Sequence, residues 1–117
     1  NLTFVGHRSD IKEIMSISKI VFSLSREPEA FGRISLESLS MGIPVIAYSH
    51  GGVKEQMLEI LPEGLIAVGN INLVASLTNK WIKKGPEIKK SHNFTLKNML
   101  EKTVLVYKQA IKDKCQK

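Results

Sequence analysis

The chain has 117 residues, 43% hydrophobic and 24% charged, with 17 basic against 11 acidic side chains and a net charge of +6. That length suits one domain, with a core near the lower limit for a large sheet. No apolar run approaches the roughly 20 residues of a membrane span, no signal peptide is expected from these residues, and the single Cys115 cannot close an internal disulfide.

The first strand-like run is Leu2–Val5, already under way at the start of a sequence that lacks an initiating methionine. The chain therefore reads as a fragment. Residues 10–18 carry apolar side chains at 11, 14, 15 and 17, with Ser9 as the expected N-cap of a helix. A second strand is predicted over Ile20–Leu24. A second helix is predicted over Gly32–Met41, closed by Gly42. A third strand follows at Pro44–Tyr48, a short helix at Val53–Ile60, a fourth strand at Gly64–Val68 and a helix at Ile71–Ile82. The strand runs are β-branched and continuous rather than alternating, as strands buried on both faces are. Alternating strands and helices predict a parallel sheet of about four strands with flanking helices. After Gly85-Pro86 the pattern reads as purely helical, with Phe94–Ile111 a long amphipathic helix or a kinked pair.

Charge is unevenly spread. Residues 1–79 hold six basic and eight acidic groups, a net −2, and residues 80–117 hold eleven lysines against three acids, a net +8. Such a tail attracts anionic surfaces or forms a solvated lysine face. No aromatic residues interleave with the lysines, so nucleic acid is not an expected partner. The lone cysteine favours a reducing compartment. The expected location is cytoplasmic, with peripheral contact at the inner membrane face as a subsidiary reading. Asn1-Leu2-Thr3 and Asn93-Phe94-Thr95 fit the glycosylation sequon, which carries little weight without a secretory signal.

In open parallel sheets, ligands sit beyond the carboxyl ends of the strands. The loops there are Gly6–Asp10, Ser25–Phe31, Ser49–Gly52 and Gly69–Asn72. The second is the most informative. Pro28 stiffens it, and Gly32 opens a helix whose first amides can face an anion. Glu29 stands before that helix, and Glu37 lies about 7.5 Å along it at 1.5 Å per residue. On spacing alone two readings stay open. The carboxylates either decorate a helix start favoured by the macrodipole or hold a hydroxyl-bearing ligand between them. His7, His50 and His92 have no metal-ligand spacing, so no metal is expected. GxGxxG, GxxxxGK[ST] and GxSxG are absent.

The block SREPEAFGRISLESLSMGIPVIA, Ser25–Ala47, closely resembles the hallmark segment of the family 4 (group 1) retaining glycosyltransferases. Its core is a glutamate, seven residues and a second glutamate. Gly51-Gly52-x-x-Glu55 resembles that family's next motif, and Asn93–Ile111 is similar to its closing helices. The resemblance implies the GT-B architecture, with residues 1–117 a partial C-terminal, donor-binding, Rossmann-like domain and 83–117 its terminal helices.

The same resemblance implies a role for each matched residue. Glu29 is expected to bind donor-sugar hydroxyls and to act at the catalytic centre as a stabilising group. Ala30, Phe31, Gly32, Arg33 and Ile34 are expected to meet the sugar and diphosphate. Glu37 is expected to bind the ribose, and His7 and Arg8 the base. The donor is a nucleotide-diphosphate sugar, and no further cofactor is implied. The family's Gly-rich strand-turn, its Arg/Lys pair and its N-terminal acceptor domain have no counterpart here, so the isolated chain is expected to be inactive. Two alternatives remain: a non-catalytic nucleotide-sugar-binding or self-associating fragment, and a GT-B-related sugar epimerase.

Overall fold

The computed structural model describes residues 2–115; Asn1, and with it the first sequon, lies outside them. The elements run α1 (Ile11–Ser16), β1 (Val21–Ser23), α2 (Arg33–Ser40), β2 (Val45–Tyr48), α3 (Gly51–Ile60), a 3-10 turn (Pro62–Gly64), β3 (Leu65–Ile66), α4 (Ile71–Lys83) and α5 (Leu96–Cys115). The three strands form one parallel sheet in the order β1-β2-β3. Val21, Phe22 and Ser23 face Val45, Ile46 and Ala47 in register, and Ala47 and Tyr48 face Leu65 and Ile66.

The core is centred on β2. Val45, Ile46 and Ala47 are fully buried, and Val53, Met57 and Ile60 of α3, Leu39 of α2 and Trp81 of α4 close over them. A continuous apolar run is what a central parallel strand requires, because both faces of the sheet are covered. Gly64 permits the tightest approach. A Cβ there would collide with the Val45 carbonyl and come within 2.5 Å of Met57 Cε. α2 ends in a Schellman motif, with the Ile43 amide donating to Ser38 O at 2.9 Å and Gly42 to Leu39 O at 3.0 Å. Gly42 takes the left-handed conformation, φ +78°, that this closure needs. α1 packs on α2 through Ser38, whose hydroxyl lies 3.3 Å from Met15 Sδ.

Several expectations are corrected. Leu2–Val5 is no strand: Leu2 and Phe4 are 81% and 89% exposed, and the sheet among the described residues has three strands rather than about four. Local β preference extends a segment, but only a neighbour's N–H and C=O groups make it a strand, and none of the described residues supplies them. α1 starts after Asp10 rather than at Ser9, with no side-chain cap. The Asp10 carboxylate is engaged instead by Arg8, whose Nε donates to it at 2.7 Å.

The stretch 84–95 is not helical. Pro86 disfavours the α conformation at Gly85. The backbone there is used to close α3: Lys89 donates to Ile60 O at 3.3 Å, and Asn93 donates to the Glu59 carboxylate at 2.6 Å.

α5 is one helix, not a kinked pair, about 30 Å long at 1.5 Å per residue. Thr95 caps it by accepting from the Asn98 amide at 3.2 Å. Its apolar side chains Leu96, Met99, Leu100, Val104, Tyr107 and Ile111 remain exposed. The molecule is accordingly long, 63 × 31 × 27 Å.

Truncating Ile46 to Ala should cost about 2–5 kcal/mol, as large-to-small changes in a packed core do. Leu105→Ala on exposed α5 should stay within about 0.5 kcal/mol. Urea denaturation of both variants checks the contrast.

Candidate functional site

The carboxyl ends of β1, β2 and β3 open into residues 24–32, 49–50 and 67–70. Two of these loops are tied together. The His50 ring Nε2 lies 2.9 Å from the Ser25 carbonyl. A carbonyl only accepts, so this nitrogen carries the proton. Ser49 continues the ladder by donating to Ile66 O at 2.8 Å. The third loop turns at Gly69 (φ +82°), and Asn70 caps α4 by accepting from the Leu73 amide at 3.1 Å.

The loop carrying Glu29 rests directly on the first turn of α3. The Gly52 amide donates to Glu29 O at 2.8 Å, and the Gln56 carboxamide donates to Phe31 O. At Gly51 a Cβ would stand 2.5 Å from Glu29 O, and at Gly52 it would stand 2.8 Å from Phe31 Cα. The sequence pattern put Gly51 and Gly52 in a loop before a helix at Val53. They are instead the helix's first turn, bare because another backbone lies against them.

The start of α2 follows from the same packing. Gly32 is its N-cap residue, left-handed at φ +79°, and makes no side-chain cap. A Cβ at 32 would strike Val53 Cγ2. The usual capping residues Ser, Thr, Asp and Asn are thereby excluded by packing. The first intrahelical bond runs from Leu36 N to Gly32 O at 3.2 Å. The amides of the first turn are left without acceptors among the described residues, which is the condition for anion binding at a helix start.

Around this start lie the residues singled out by the sequence. Glu29, Ala30 and Phe31 are exposed, Gly32 is buried, and Arg33 and Ile34 are exposed. Glu37 is half-buried on the helix, and its carboxylate sits 3.5 Å from Arg33 Nη2. An exposed pair of this kind is a weak tie, so both groups can be reassigned to a ligand. His7 and Arg8 lie on the exposed segment before α1. Among the described residues, no hydrogen bond or ion pair links them to 25–37. Arg8 instead holds the Asp10 carboxyl below its ordinary range through their hydrogen bond. No group of three or more metal-ligating side chains occurs among the described residues.

Two clefts compete for attention. One of about 760 Å3 is lined by Leu39, Met41, Gly42, Pro86, Lys89 and His92. It lies at the far end of α2, away from the strand carboxyl ends. The other, about 370 Å3, joins Phe31 and Leu36 to Phe94, Met99 and Lys102. It abuts the site, because Phe94 meets Phe31 edge to face at 6.5 Å. The first is roomier, but sheet topology favours the strand carboxyl ends, and the uncapped helix start is found there.

Gln56 escaped the sequence reading. It is fully buried, its Nε2 holds Phe31 O, and its Oε1 has no partner. An unpartnered buried acceptor costs about 1–3 kcal/mol. The signal was present: Gln56 occupies the apolar stripe of α3, between Val53 and Ile60.

The structure thus defines a Rossmann-like α/β unit whose polar loops and uncapped helix start gather at one end of a parallel sheet. The sequence model of the family described as Glycosyl transferases group 1 matches residues 1–110. The chain belongs to that family. It is also similar to an N-acetyl-alpha-D-glucosaminyl L-malate synthase of Bacillus anthracis, 35% identical over 52 residues, which cover 44% of this chain and 13% of that relative. No solved structure matches significantly.

Gly52→Ala should force the 29–31 backbone off α3 and cost about 1–3 kcal/mol, as overpacking does. Gly85→Ala, where a Cβ meets nothing within 4 Å, should leave the melting temperature unchanged. Thermal denaturation of the pair tests the close approach.

Proposed function

We propose that this chain supplies the donor side of a retaining glycosyltransferase, binding a nucleotide-diphosphate sugar at the start of α2. The observation that carries this reading is the uncapped helix start, barred from self-capping by Val53 and flanked by Glu29 and Glu37. The diphosphate rests on the amides around Phe31, Gly32, Arg33 and Ile34, with Arg33 adding positive charge. Glu37 exchanges its weak pairing with Arg33 for the ribose hydroxyls. Glu29 and Ala30, on the exposed loop, meet the sugar. His7 and Arg8 take the base.

In the reaction, the bond from the anomeric carbon to the diphosphate oxygen breaks. The acceptor hydroxyl forms its new bond on the same face and passes its proton to the departing diphosphate. Glu29 positions the sugar and stabilises charge at its carbon, and is not a nucleophile. The relative's name mentions an N-acetylglucosaminyl group and malate. Those words support a hexose-type donor sugar without assigning either molecule to this chain. The acceptor side belongs to a separate domain. The isolated chain is inactive, because it carries little positive charge against the leaving diphosphate, where such charge stabilises the transition state.

Calorimetry with UDP-, GDP- and ADP-sugars should show binding of one base class. Glu37→Ala should weaken it about 10- to 100-fold, the range for a lost hydrogen bond to a charged group. Glu63→Ala, in the 3-10 turn at the far end of β3, should leave binding unchanged. Equal losses in both variants would remove the ribose assignment.

A second reading is a non-catalytic module that docks on another surface or on its own copies. It draws on the exposed apolar face of α5 and on the outer edge of β1, which pairs with no strand among the described residues. Analytical ultracentrifugation should show a concentration-dependent mass under that reading. A constant monomer mass would exclude self-association.

A further inference from the structure

Gln56 is an unusual choice for its position. Its neighbours along the buried stripe of α3 are Val53, Met57 and Ile60, and it is itself 0% exposed. A residue needed only to fill that space would be apolar. The chain instead keeps a carboxamide there with one end unpartnered. The other end donates to the Phe31 carbonyl. The atom in contact is the nitrogen, since two acceptor oxygens would repel.

That bond acts on the whole peptide unit between Phe31 and Gly32. In a planar trans peptide the C=O and N–H point in opposite directions. With Phe31 O held against α3, the Gly32 N–H is turned to the opposite side, away from the buried carboxamide. The Gly52 amide does the same two residues earlier. It holds Glu29 O at 2.8 Å and so turns the Ala30 N–H outward. Neither the Ala30 nor the Gly32 amide donates to any group among the described residues.

We infer that Gln56 is a positioning residue that sets the Gly32 amide toward the ligand face of the loop, ready to donate to a phosphate-type oxygen. This rests on the donor-binding reading above. The role is pre-organisation: the donor is aimed before the ligand arrives, so the peptide need not reorient on binding. Gln56 itself touches no ligand.

The test uses the whole chain, with UDP, GDP and ADP as probes. In Gln56→Met, of similar size but with no donor, the Gly32 amide resonance should shift or broaden in 15N–1H spectra while core amides such as Ile46 keep their positions. The dissociation constant for the probe that the unsubstituted chain binds should rise about tenfold, the scale of one lost directed hydrogen bond. A merely space-filling role predicts an unmoved Gly32 resonance and an affinity within twofold, and that result overturns the inference.

Should Gln56→Met fail to fold, the unsubstituted chain decides. Its Gln56 side-chain amide protons should exchange slowly, and the Gly32 amide should move on adding the bound nucleotide. Fast exchange, or an unmoved Gly32 amide on binding, overturns the inference. If the unsubstituted chain binds none of the three probes, the donor-binding reading fails; if it binds one and Gly32 is insensitive to Gln56, only the positioning role fails.

Discussion

The close contact between the loop at residues 29–32 and the first turn of α3 is the constraint on which the site depends. Two backbones meet there with no side chain between them. Gly51 and Gly52 make this possible, and the Gly52–Glu29 and Gln56–Phe31 hydrogen bonds hold it. Because α3 also supplies Val53, Met57 and Ile60 to the core, the loop is referenced to the packed interior of the molecule. A site on a loop is only as ordered as the scaffold beneath it.

The electrostatics at the helix start are a consequence of that packing. Helices ordinarily satisfy their first amides with a Ser, Thr, Asp or Asn side chain. Val53 occupies the place where such a side chain would begin, so α2 starts on a glycine and its amides stay available. The two glutamates flank this positive end rather than covering it. The Glu37–Arg33 pair is long and solvent-exposed on the arginine side, which lets it open without a large loss. The same loop is joined to the base of α5 through Phe31 and Phe94, so the long helix is anchored at the site while most of its length is free.

Much of this was legible along the chain. The apolar runs of β1, β2 and β3 were readable as strands, but only central β2 is buried throughout, while edge strand β1 leaves Phe22 exposed. The end of α2 was readable from Gly42, since only glycine takes the left-handed turn cheaply. The Glu29–Glu37 segment was recognisable as a unit. Leu2–Val5 misled because it has the composition of a strand but no partner among the described residues. The residues between Pro86 and α5 misled because the chain after Gly85-Pro86 read as purely helical, whereas their backbone is used to close α3. Ser9 was read as the N-cap of α1, where Asp10 stands instead and makes no side-chain cap.

The sequence by itself determined the family, the order of the elements from β1 to α4 and the loops that follow those three strands. Those properties reside in local composition, periodicity and motif spacing. Only the tertiary structure decided what the glycines and Gln56 do. A glycine's role depends on what lies where its side chain would be, and a buried carboxamide's role depends on which carbonyl it reaches. Gly51 and Gly52, which looked like a ligand loop, are contact points between backbones. Gln56, passed over in the sequence, holds the loop on which Glu29 stands.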